Sequence, residues 1–415
     1  MSETVTIATL GHAGDGVAET DGGRIFVPFT LPEETVVIER QNNRGRVLDI
    51  QRPSPIRARP ICRHFGVCGG CALQHMERDA YLAWKRDVVR KTLALAGVPA
   101  EVEPVIPIAS GDRRRAVFSA LRTTRGVILG FQRRASNEIV NIKECPVLAP
   151  AIVSRLGLVR EIAAVAVKPK RVARITVLAA DNGLDITVTG GGRPDERALA
   201  RLGGMAADAT LARLTIDDRE VFLNRRPEVE VDGAWLFPPP GGFVQASAAA
   251  EAAIAEAVLA HVGDARPILD LFAGCGTFSL RLARHAPVTA VEGEGVLLAA
   301  LDQAVRHARG LKPVTARRRD LFQNPVAPVE LDPFGAVVLD PPAAGAKAQS
   351  AALAQSHVAR IAAVSCNPAT FARDARILID GGYRLERVVP VDQFLFSPEI
   401  ELVGTFVLGT AVAVS

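Results

Sequence analysis

The sequence is poor in tryptophan and tyrosine and has no long apolar run. Only 2 Trp and 2 Tyr accompany 16 Phe in 415 residues, so we do not expect base stacking on aromatic side chains to dominate any binding. No stretch of about 18 uncharged apolar residues occurs, and the first thirty residues lack a basic start followed by an apolar segment. We therefore expect a cytoplasmic protein that does not associate with a membrane.

Charge is distributed unevenly along the chain. The formal net charge is only +4, but residues 56–174 carry 22 Lys/Arg against 9 Asp/Glu, a net of +13. Residues 1–55 have a net charge of −3 and the remainder −6. A basic middle region of this kind is typical of proteins that bind a polyanion, most often nucleic acid. A basic surface that is merely solvated is the alternative.

Length and turn signals predict three domains. Residues 1–55 read as short strands joined by the glycine-containing turns "DGG" and "NNRG", which indicates a small antiparallel barrel. Residues 56–240 mix a predicted helix at about 78–95 with alternating strands, including the hairpin candidate "RITVLAADNGLDITVTG". In residues 241–415, the helical "AAAEAAIAEAVLAHV" is followed by alternating strand and helix patterns, which predict a parallel, doubly wound α/β sheet.

Four of the six cysteines are candidates for a metal site. They are Cys62, Cys68, Cys71 and Cys145. The first three have the spacing C-x5-C-x2-C, with two glycines between the last two, and the fourth precedes a proline. Clustered thiols in a reducing compartment indicate metal binding or catalysis rather than disulfides. Three local thiols and a distant fourth suit either tetrahedral zinc or a cubane iron–sulfur cluster, and His64 and His75 keep the zinc alternative open.

The segment "PILDLFAGCGTFSL", residues 267–280, predicts a strand, a glycine turn and a helix start. Doubly wound sheets bind nucleotides at such junctions, but Ser279 replaces the third glycine of the dinucleotide pattern, which favours S-adenosylmethionine over a nicotinamide cofactor. Glu292 ends a second predicted strand and is placed to accept hydrogen bonds from ribose hydroxyls. Asp320 follows a third and is a candidate for the adenine amino group. Cys275, inside the loop, is expected to fill space.

Two later motifs carry further candidates. Asp340, in "AVVLDPPAAG", follows another predicted strand and precedes two prolines, a rigid loop suited to holding a planar base beside a methyl donor. An ordinary strand-terminating turn is the alternative. Cys366, in "VSCNPATFARD", is either a small buried hydrophobe or a nucleophile, and its own segment does not decide between them.

Six motifs in chain order give the whole sequence a family resemblance. They are "HFGVCGGCALQH", "GGFVQAS", "LDLFAGCGTFSL", "LDPPAAGA", "VSCNPATFARD" and "VDQFLFSPEIELV". The chain resembles the RNA uracil-5-methyltransferases, and among them the iron–sulfur branch that acts on 23S rRNA. The resemblance implies a Rossmann-like class I methyltransferase domain, an N-terminal OB-like (TRAM) β-barrel and a central α+β domain that carries an iron–sulfur loop.

The resemblance also implies roles for twelve residues. Cys366 takes the position of the nucleophile and Glu401 that of the general base. The expected contacts to S-adenosylmethionine or the target base are Gln245, Phe272, Thr277, Glu292, Asp320 and Asp340. The expected ligands of a 4Fe-4S cluster are Cys62, Cys68, Cys71 and Cys145. The chain departs from the family at two positions, because Ala343 stands where Arg is usual and Glu399 where His is usual.

The implied chemistry needs one thiolate, one carboxylate and one methyl donor. A thiolate that adds to uracil C6 makes an enolate, the enolate attacks the sulfonium methyl, and a base then removes the C5 proton so that the thiolate is eliminated. The uridine has to be flipped out of folded RNA. We expect a monomer acting on 23S rRNA. The alternatives are a tRNA target, an adenine amino-methyltransferase and a non-catalytic RNA-binding protein.

Overall fold

The chain folds around three large sheets, and the computed structural model describes residues 2–409. The strands of the first sheet are β1 (Ser2–Thr6), β2 (Thr9–Leu10), β3 (Gly16–Thr20), β4 (Gly23–Val27), β5 (Thr35–Gln41) and β6 (Arg44–Arg52). Their order is β1-β5-β6-β4-β3-β2, and every pair is antiparallel except β4 with β6. Two-residue turns at 21–22 and 42–43 close the two predicted hairpins. The antiparallel pairing is thus confirmed, and the OB-like (TRAM) identification stays a prediction.

The second sheet lies in the middle of the chain, after helix α1 (Arg78–Leu95), which occupies its predicted position. Its strands are β7 (Arg115–Thr123), β8 (Gly126–Gln132), β9 (Ile139–Asn141), β10 (Val172–Ala180), β11 (Gly183–Thr189), β12 (Arg213–Ile216) and β13 (Arg219–Leu223). Their order is β13-β12-β11-β10-β7-β8-β9. The predicted hairpin forms between β10 and β11. The helices beside this sheet are α2 (Pro150–Val153), α3 (Leu156–Ala166) and α4 (Glu196–Asp208). They pack on one of its faces, over a core that includes Phe118 and Ile175.

The third sheet has seven strands and is wound with helices on both faces. After the small hairpin β14 (Val229–Val231) and β15 (Ala234–Leu236), its strands are β16 (Ile268–Leu271), β17 (Val288–Glu292), β18 (Val314–Arg318), β19 (Ala336–Leu339), β20 (Arg360–Ser365), β21 (Tyr383–Val391) and β22 (Glu401–Leu408). Its helices are α5 (Ala248–Val262), α6 (Thr277–Leu282), α7 (Gly295–His307), α8 (Pro328–Leu331), α9 (Lys347–Leu353) and α10 (Pro368–Asp380). Short apolar runs such as "ILDL" and "AVVL" form its buried central strands, as expected for a sheet covered on both sides.

The strand order β18-β17-β16-β19-β20-β22-β21 confirms the predicted parallel, doubly wound sheet, with one difference. Strand β22 runs antiparallel to both β20 and β21, because a short connection at 392–400 returns the chain directly from β21. The order reverses at β16, which lies between β17 and β19. Loops that follow the carboxyl ends of the strands meet at such a switch point and open a crevice there.

The predicted domain boundaries fall between elements. Residue 55 lies between β6 and α1, and residue 240 lies between β15 and α5. The division into three domains stays a prediction. Among the helices in residues 2–409, none combines the length and hydropathy that crossing a membrane requires.

Candidate active site

A pocket of about 1670 Å³ opens at the carboxyl ends of the parallel strands. It is lined by every residue predicted for catalysis and for cofactor or base binding: Gln245, Phe272, Thr277, Glu292, Asp320, Asp340, Cys366 and Glu401. Ala343 and Glu399 also line it. The fold therefore brings together eight side chains that are spread over more than 150 positions of the sequence.

The glycine loop between β16 and α6 approaches its neighbours closely. Gly276 has a φ of 100°, and a Cβ at this position would lie 2.4 Å from Leu301 Cδ1, so the position requires glycine. The backbone N–H of Gly274 donates to Glu292 Oε2 at 3.0 Å, and that of Glu294 donates to Oε1 at 2.9 Å. Both oxygens of Glu292 are thereby oriented, and each keeps a lone pair for a ligand hydroxyl.

An aromatic pair and a fixed carboxylate stand next to this loop. The rings of Phe272 and Phe322 have centroids 5.4 Å apart, and both line the pocket. Asp320 Oδ1 accepts hydrogen bonds from the backbone N–H groups of Phe322 (3.0 Å) and Gln323 (3.3 Å). This Asx turn fixes the carboxylate beside the rings. An apolar face with one oriented acceptor at its edge suits a purine with an exocyclic amino group. Phe322 was missed in the sequence because it belongs to none of the recognised motifs.

Two amides connect the two buried carboxylates of the pocket. Gln245 Nε2 donates to Asp340 Oδ2 at 3.2 Å, and Gln245 Oε1 accepts from Gln393 Nε2 at 3.0 Å. The same Gln393 nitrogen donates to Glu401 Oε2 at 2.9 Å. These hydrogen bonds form the network Asp340–Gln245–Gln393–Glu401. The network joins the end of β19, the segment before α5 and the start of β22. Gln393 was also missed, although it lies inside the motif "VDQFLFSPEIELV", because the resemblance assigned it no role.

Burial raises the pKa of the two carboxyl groups at the ends of this hydrogen-bond network. Glu401 has 3% relative exposure. Burial raises the pKa of Asp340 to about 7, and burial together with the nearby charge of Asp340 raises the pKa of Glu401 well above its usual value. Both shifts favour the protonated, neutral form of these two carboxyl groups in the free protein.

Cys366 lies between β20 and α10, at the positive end of the helix. Its neighbour Asn367 is the N-cap residue, and Asn367 Oδ1 accepts from the backbone N–H of Ala369 at 3.0 Å. Burial, followed by the negative charges of Glu401 and Asp340, raises the pKa of the Cys366 thiol to about 11. The helix dipole acts in the opposite direction and favours a thiolate. The free site therefore holds a thiol, and a bound sulfonium cation would shift it toward the thiolate.

The loop after Asp340 is held by residues at the start of α10, and the side chain at position 343 takes no part in these contacts. Asn367 Nδ2 (3.3 Å) and Thr370 Oγ1 (3.1 Å) both donate to the backbone carbonyl of Ala343. Further along the loop, Asp374 Oδ2 accepts from the backbone N–H of Ala346 at 2.6 Å. Because the contact is made to backbone atoms, an arginine at position 343 is not needed to hold this loop beside Cys366.

A second pocket, of about 380 Å³, contains the four candidate metal ligands. Cys62, Cys68, Cys71 and Cys145 all line it as free, half-buried thiols. The loop that holds the first three is docked on β8, where Gly69 N–H donates to the Gln132 carbonyl at 2.9 Å and a Cβ on Gly69 would lie 2.7 Å from that oxygen. Burial raises the pKa of Cys71 to about 12, and the neighbouring cysteines add to the shift. Burial also raises the pKa of the Cys68 and Cys145 thiols, so a thiolate at any of these three positions requires a nearby cation.

The two histidines do not complete a zinc site. His64 lines the pocket, but its Nε2 accepts the backbone N–H of Lys143 at 3.0 Å. His75 is fully buried against Phe29 and Phe65, and burial lowers its pKa to about 4. Within residues 2–409, no group of three or more His, Cys, Asp or Glu side chains is close enough to hold a single metal ion.

Known RNA methyltransferases are similar to this protein over nearly its whole length. An uncharacterised RNA methyltransferase of Brucella suis biovar 1 is 45% identical over 405 residues, which cover 98% of each chain. The 23S rRNA (uracil(1939)-C(5))-methyltransferase RlmD of Halomonas elongata is 33% identical over 440 residues, covering 96% of this chain and 88% of that protein. The family model described as tRNA (Uracil-5-)-methyltransferase matches residues 315–408. The chain belongs to the RNA (uracil-5-)-methyltransferase family.

The fold of this methyltransferase agrees with a solved structure. The Pyrococcus abyssi tRNA (uracil-54, C5)-methyltransferase, solved in complex with S-adenosyl-L-homocysteine, superimposes with a TM-score of 0.75 at 23% identity, covering 97% of this chain and 99% of that one. The predicted class I, S-adenosylmethionine-dependent methyltransferase fold is therefore confirmed. The alternative of an adenine amino-methyltransferase is wrong, because the family acts on uracil C5.

A buried ion pair fixes the segment that carries Gln393 and leads to Glu401. Lys85 of α1 has 1% relative exposure, and its Nζ donates to Asp392 Oδ1 (2.5 Å) and to the carbonyls of Phe394 (3.1 Å) and Glu399 (2.6 Å). Tyr81 OH donates to the same Asp392 oxygen at 2.7 Å. Lys85 and Asp392 are 307 positions apart. Lys85 lies on the buried stripe of α1 with Tyr81 and Val89, which marks it as a buried lysine but does not identify its partner.

Replacing Lys85 with Met is expected to lower the free energy of unfolding by about 3–5 kcal/mol, because the Asp392 carboxylate stays buried without its cation. Urea denaturation measures this loss. Lys91→Met is the matched control, since Lys91 lies on the same helix with a side chain 76% exposed, and we expect a change within about 0.5 kcal/mol. Equal losses for the two variants would contradict the role of the ion pair.

Proposed function

We propose that this methyltransferase transfers a methyl group from S-adenosylmethionine to C5 of a specific uridine in 23S rRNA, through a covalent bond between Cys366 and C6. The observation that carries the proposal is that Cys366, the hydrogen-bond network ending at Glu401 and the glycine loop all line one pocket. The reaction needs these three groups around one base, and the pocket is large enough for the cofactor and a flipped nucleotide together.

The side chains divide the work as follows. The Cys366 thiolate adds to C6, which places an electron pair on C5, and C5 takes the methyl group from the sulfonium while the sulfonium sulfur keeps its bonding pair. Glu401 then removes the C5 proton, and the C6–S bond breaks to regenerate the thiolate. Asp340 and Gln245, joined by a hydrogen bond, offer an acceptor and an amide to the polar edge of the uracil. Gln393 holds Glu401 by the same kind of bond.

S-adenosylmethionine fits the other end of the pocket. The oriented carboxylate of Glu292 suits the two ribose hydroxyls, because each of its oxygens has one backbone donor and a spare lone pair. Asp320, beside the rings of Phe272 and Phe322, suits the adenine amino group and its faces. Thr277 at the start of α6 and the backbone of the glycine loop leave room for the methionine portion.

The second pocket suits a 4Fe-4S cluster held by Cys62, Cys68, Cys71 and Cys145. Four thiols around one cavity suit a cubane, in which each cysteine binds a different iron. Such a cluster would be held by the thiolate forms of these cysteines, and its iron ions would balance their charge. These residues would join the loop at 62–71 to the segment before α2 and so close this part of the central region.

The 33% identity to RlmD supports 23S rRNA over tRNA as the substrate. Mapping of 5-methyluridine by mass spectrometry, in total RNA from a deletion strain and from the same strain complemented with the gene, tests this directly. We expect one uridine of 23S rRNA to lose its methyl group on deletion and regain it on complementation. Loss in tRNA would transfer the proposal to that substrate, and identical maps would favour a non-catalytic RNA-binding protein.

Protein purified without oxygen is expected to be brown and to contain about four irons and four sulfides per chain. Replacing Cys145 with Ser removes one ligand and should reduce the bound iron well below this value, whereas replacing Cys275 with Ser, outside the second pocket, should leave it unchanged. Iron and sulfide analysis with the visible spectrum measures both. Stoichiometric zinc in place of iron would contradict the cluster.

A further inference from the structure

One face of the second sheet is covered by helices and the other is partly open. Side chains alternate along β7 and β10, so Phe118 and Ile175 enter the helix-covered core while their neighbours point the other way. The pairings Arg174↔Ser119 and Val172↔Leu121 place these four residues on the same side of the sheet. On that side Arg174 is exposed and Val172 has 55% relative exposure.

The open area is a strip that begins at the active-site pocket. At the end of the strip next to the pocket, Arg115 lines the pocket and donates to the carbonyls of Gly241 and Gly242, both at 3.2 Å. The linker segment held in this way covers Thr187 of β11. Between Arg115 and Arg174 the face is narrowed by the buried Thr176, and it opens again from Arg174 to the exposed turn that contains Lys170. We call this surface, formed by Arg115, Ser119, Leu121, Lys170, Val172 and Arg174, the basic strip.

The charge of the basic strip is positive along its length. Burial lowers the pKa of Arg115, and the positive charges of Arg113 and Arg174 lower it further. The carboxylate on this side of β11, Asp185, is neutralised by the buried Arg213 at 2.6 Å. A strand of nine residues spans about 26 Å, so β7 can follow several nucleotides of an extended RNA strand.

We propose that the basic strip binds the single-stranded RNA that flanks the target uridine and guides it into the pocket. Arg174 and Lys170 contact phosphates, while Val172 and Leu121 offer an apolar surface to sugars or bases. Its cations and its position beside the pocket fit phosphate recognition, and the exposed Phe243, whose ring centroid lies 5.8 Å from the Arg115 guanidinium, offers a stacking surface only at the pocket end. The assignment of the flanking strand rests on the proposed function.

Binding of fluorescent oligo(U), measured by anisotropy over a series of KCl concentrations, tests the strip without requiring methylation. Arg174→Gln and Lys170→Gln should each weaken binding on the order of fivefold at low salt, and each should flatten the slope of log Kd against log[KCl] by about 0.7, the value for one phosphate contact on a single strand. Arg174→Lys keeps the charge and should retain most of the affinity. With the mapped RNA as substrate, the two Gln variants should raise KM and leave kcat unchanged.

Arg201→Gln is the matched control, because Arg201 is an exposed arginine on α4, which packs on the opposite face of the sheet. Affinity and salt slope for this variant should equal those of the wild type. The strip proposal is overturned if the variants at Arg174 and Lys170 bind oligo(U) like the Arg201 variant. Failure of the proposed function is a separate result, since it appears as a wild-type protein that restores no 5-methyluridine while the strip variants still bind RNA more weakly.

Discussion

Replacing Cys366 with Ala is expected to lower the methylation rate by on the order of 10⁴-fold or more, because the nucleophile and the steps that depend on it are removed together. Without addition to C6, uracil C5 has too little electron density to attack the sulfonium methyl. The measurement is multiple-turnover transfer of labelled methyl groups to the RNA that mapping identifies. Continued turnover by this variant would exclude the covalent mechanism.

The control for this variant is its cofactor affinity. In the proposed arrangement Cys366 contacts the base, while the glycine loop and Glu292 contact the cofactor, so calorimetric binding of S-adenosylmethionine should be close to that of the wild type. Loss of cofactor binding would mean that the substitution disturbed the pocket as a whole. Lost turnover with retained cofactor binding assigns the effect to the thiol.

Replacing Glu401 with Gln is expected to trap the reaction after methyl transfer. The thiolate can still add and the methyl group can still move, but no carboxylate then removes the C5 proton, and the C6–S bond persists. We expect turnover to fall by about 10²–10⁴-fold and a protein–RNA adduct to accumulate that survives denaturation. Gln keeps the shape of Glu and an oxygen that can accept from Gln393, so the geometry of the site should change little.

Denaturing gel electrophoresis with labelled RNA detects this adduct. The Cys366→Ala/Glu401→Gln double variant is its control and should give no adduct, because the sulfur that forms the bond is missing. If the Glu401 variant loses activity without any adduct, Glu401 acts before or during addition instead, and another group removes the C5 proton.

Much of the site could be predicted from local sequence because strand ends converge in a parallel sheet. Glu292 and Asp340 each come at the end of an apolar run that is recognisable by itself, and Asp320 follows a third, more polar strand. Once alternating strands and helices indicate a doubly wound sheet, their carboxylates have to meet at one edge. The glycine loop is equally local, since the position of Gly276 against Leu301 requires glycine for steric reasons.

The remaining features depend on long-range contacts that leave no local pattern. Gln393 lies in a quoted motif and Lys85 on the buried stripe of α1, but only the fold shows that one contacts Glu401 and the other Asp392. The antiparallel direction of β22 was missed for a related reason, because periodicity identifies a strand but not its direction. Asn367 and Thr370 hold the loop by donating to the backbone carbonyl of Ala343, a group that every residue type provides.

The segment between β21 and β22 has two faces, because Phe394 and Glu399 line both the active-site pocket and the cysteine pocket. The carbonyl of Phe396, between them, accepts the backbone N–H groups of Ala72 (2.8 Å) and Leu73 (3.0 Å) from the cysteine loop. A substitution at either position therefore changes the lining of both pockets, and it is tolerated only if both pockets still work. Glu399 is such a position, so a substitution there is expected to alter the active-site pocket and the cysteine pocket together.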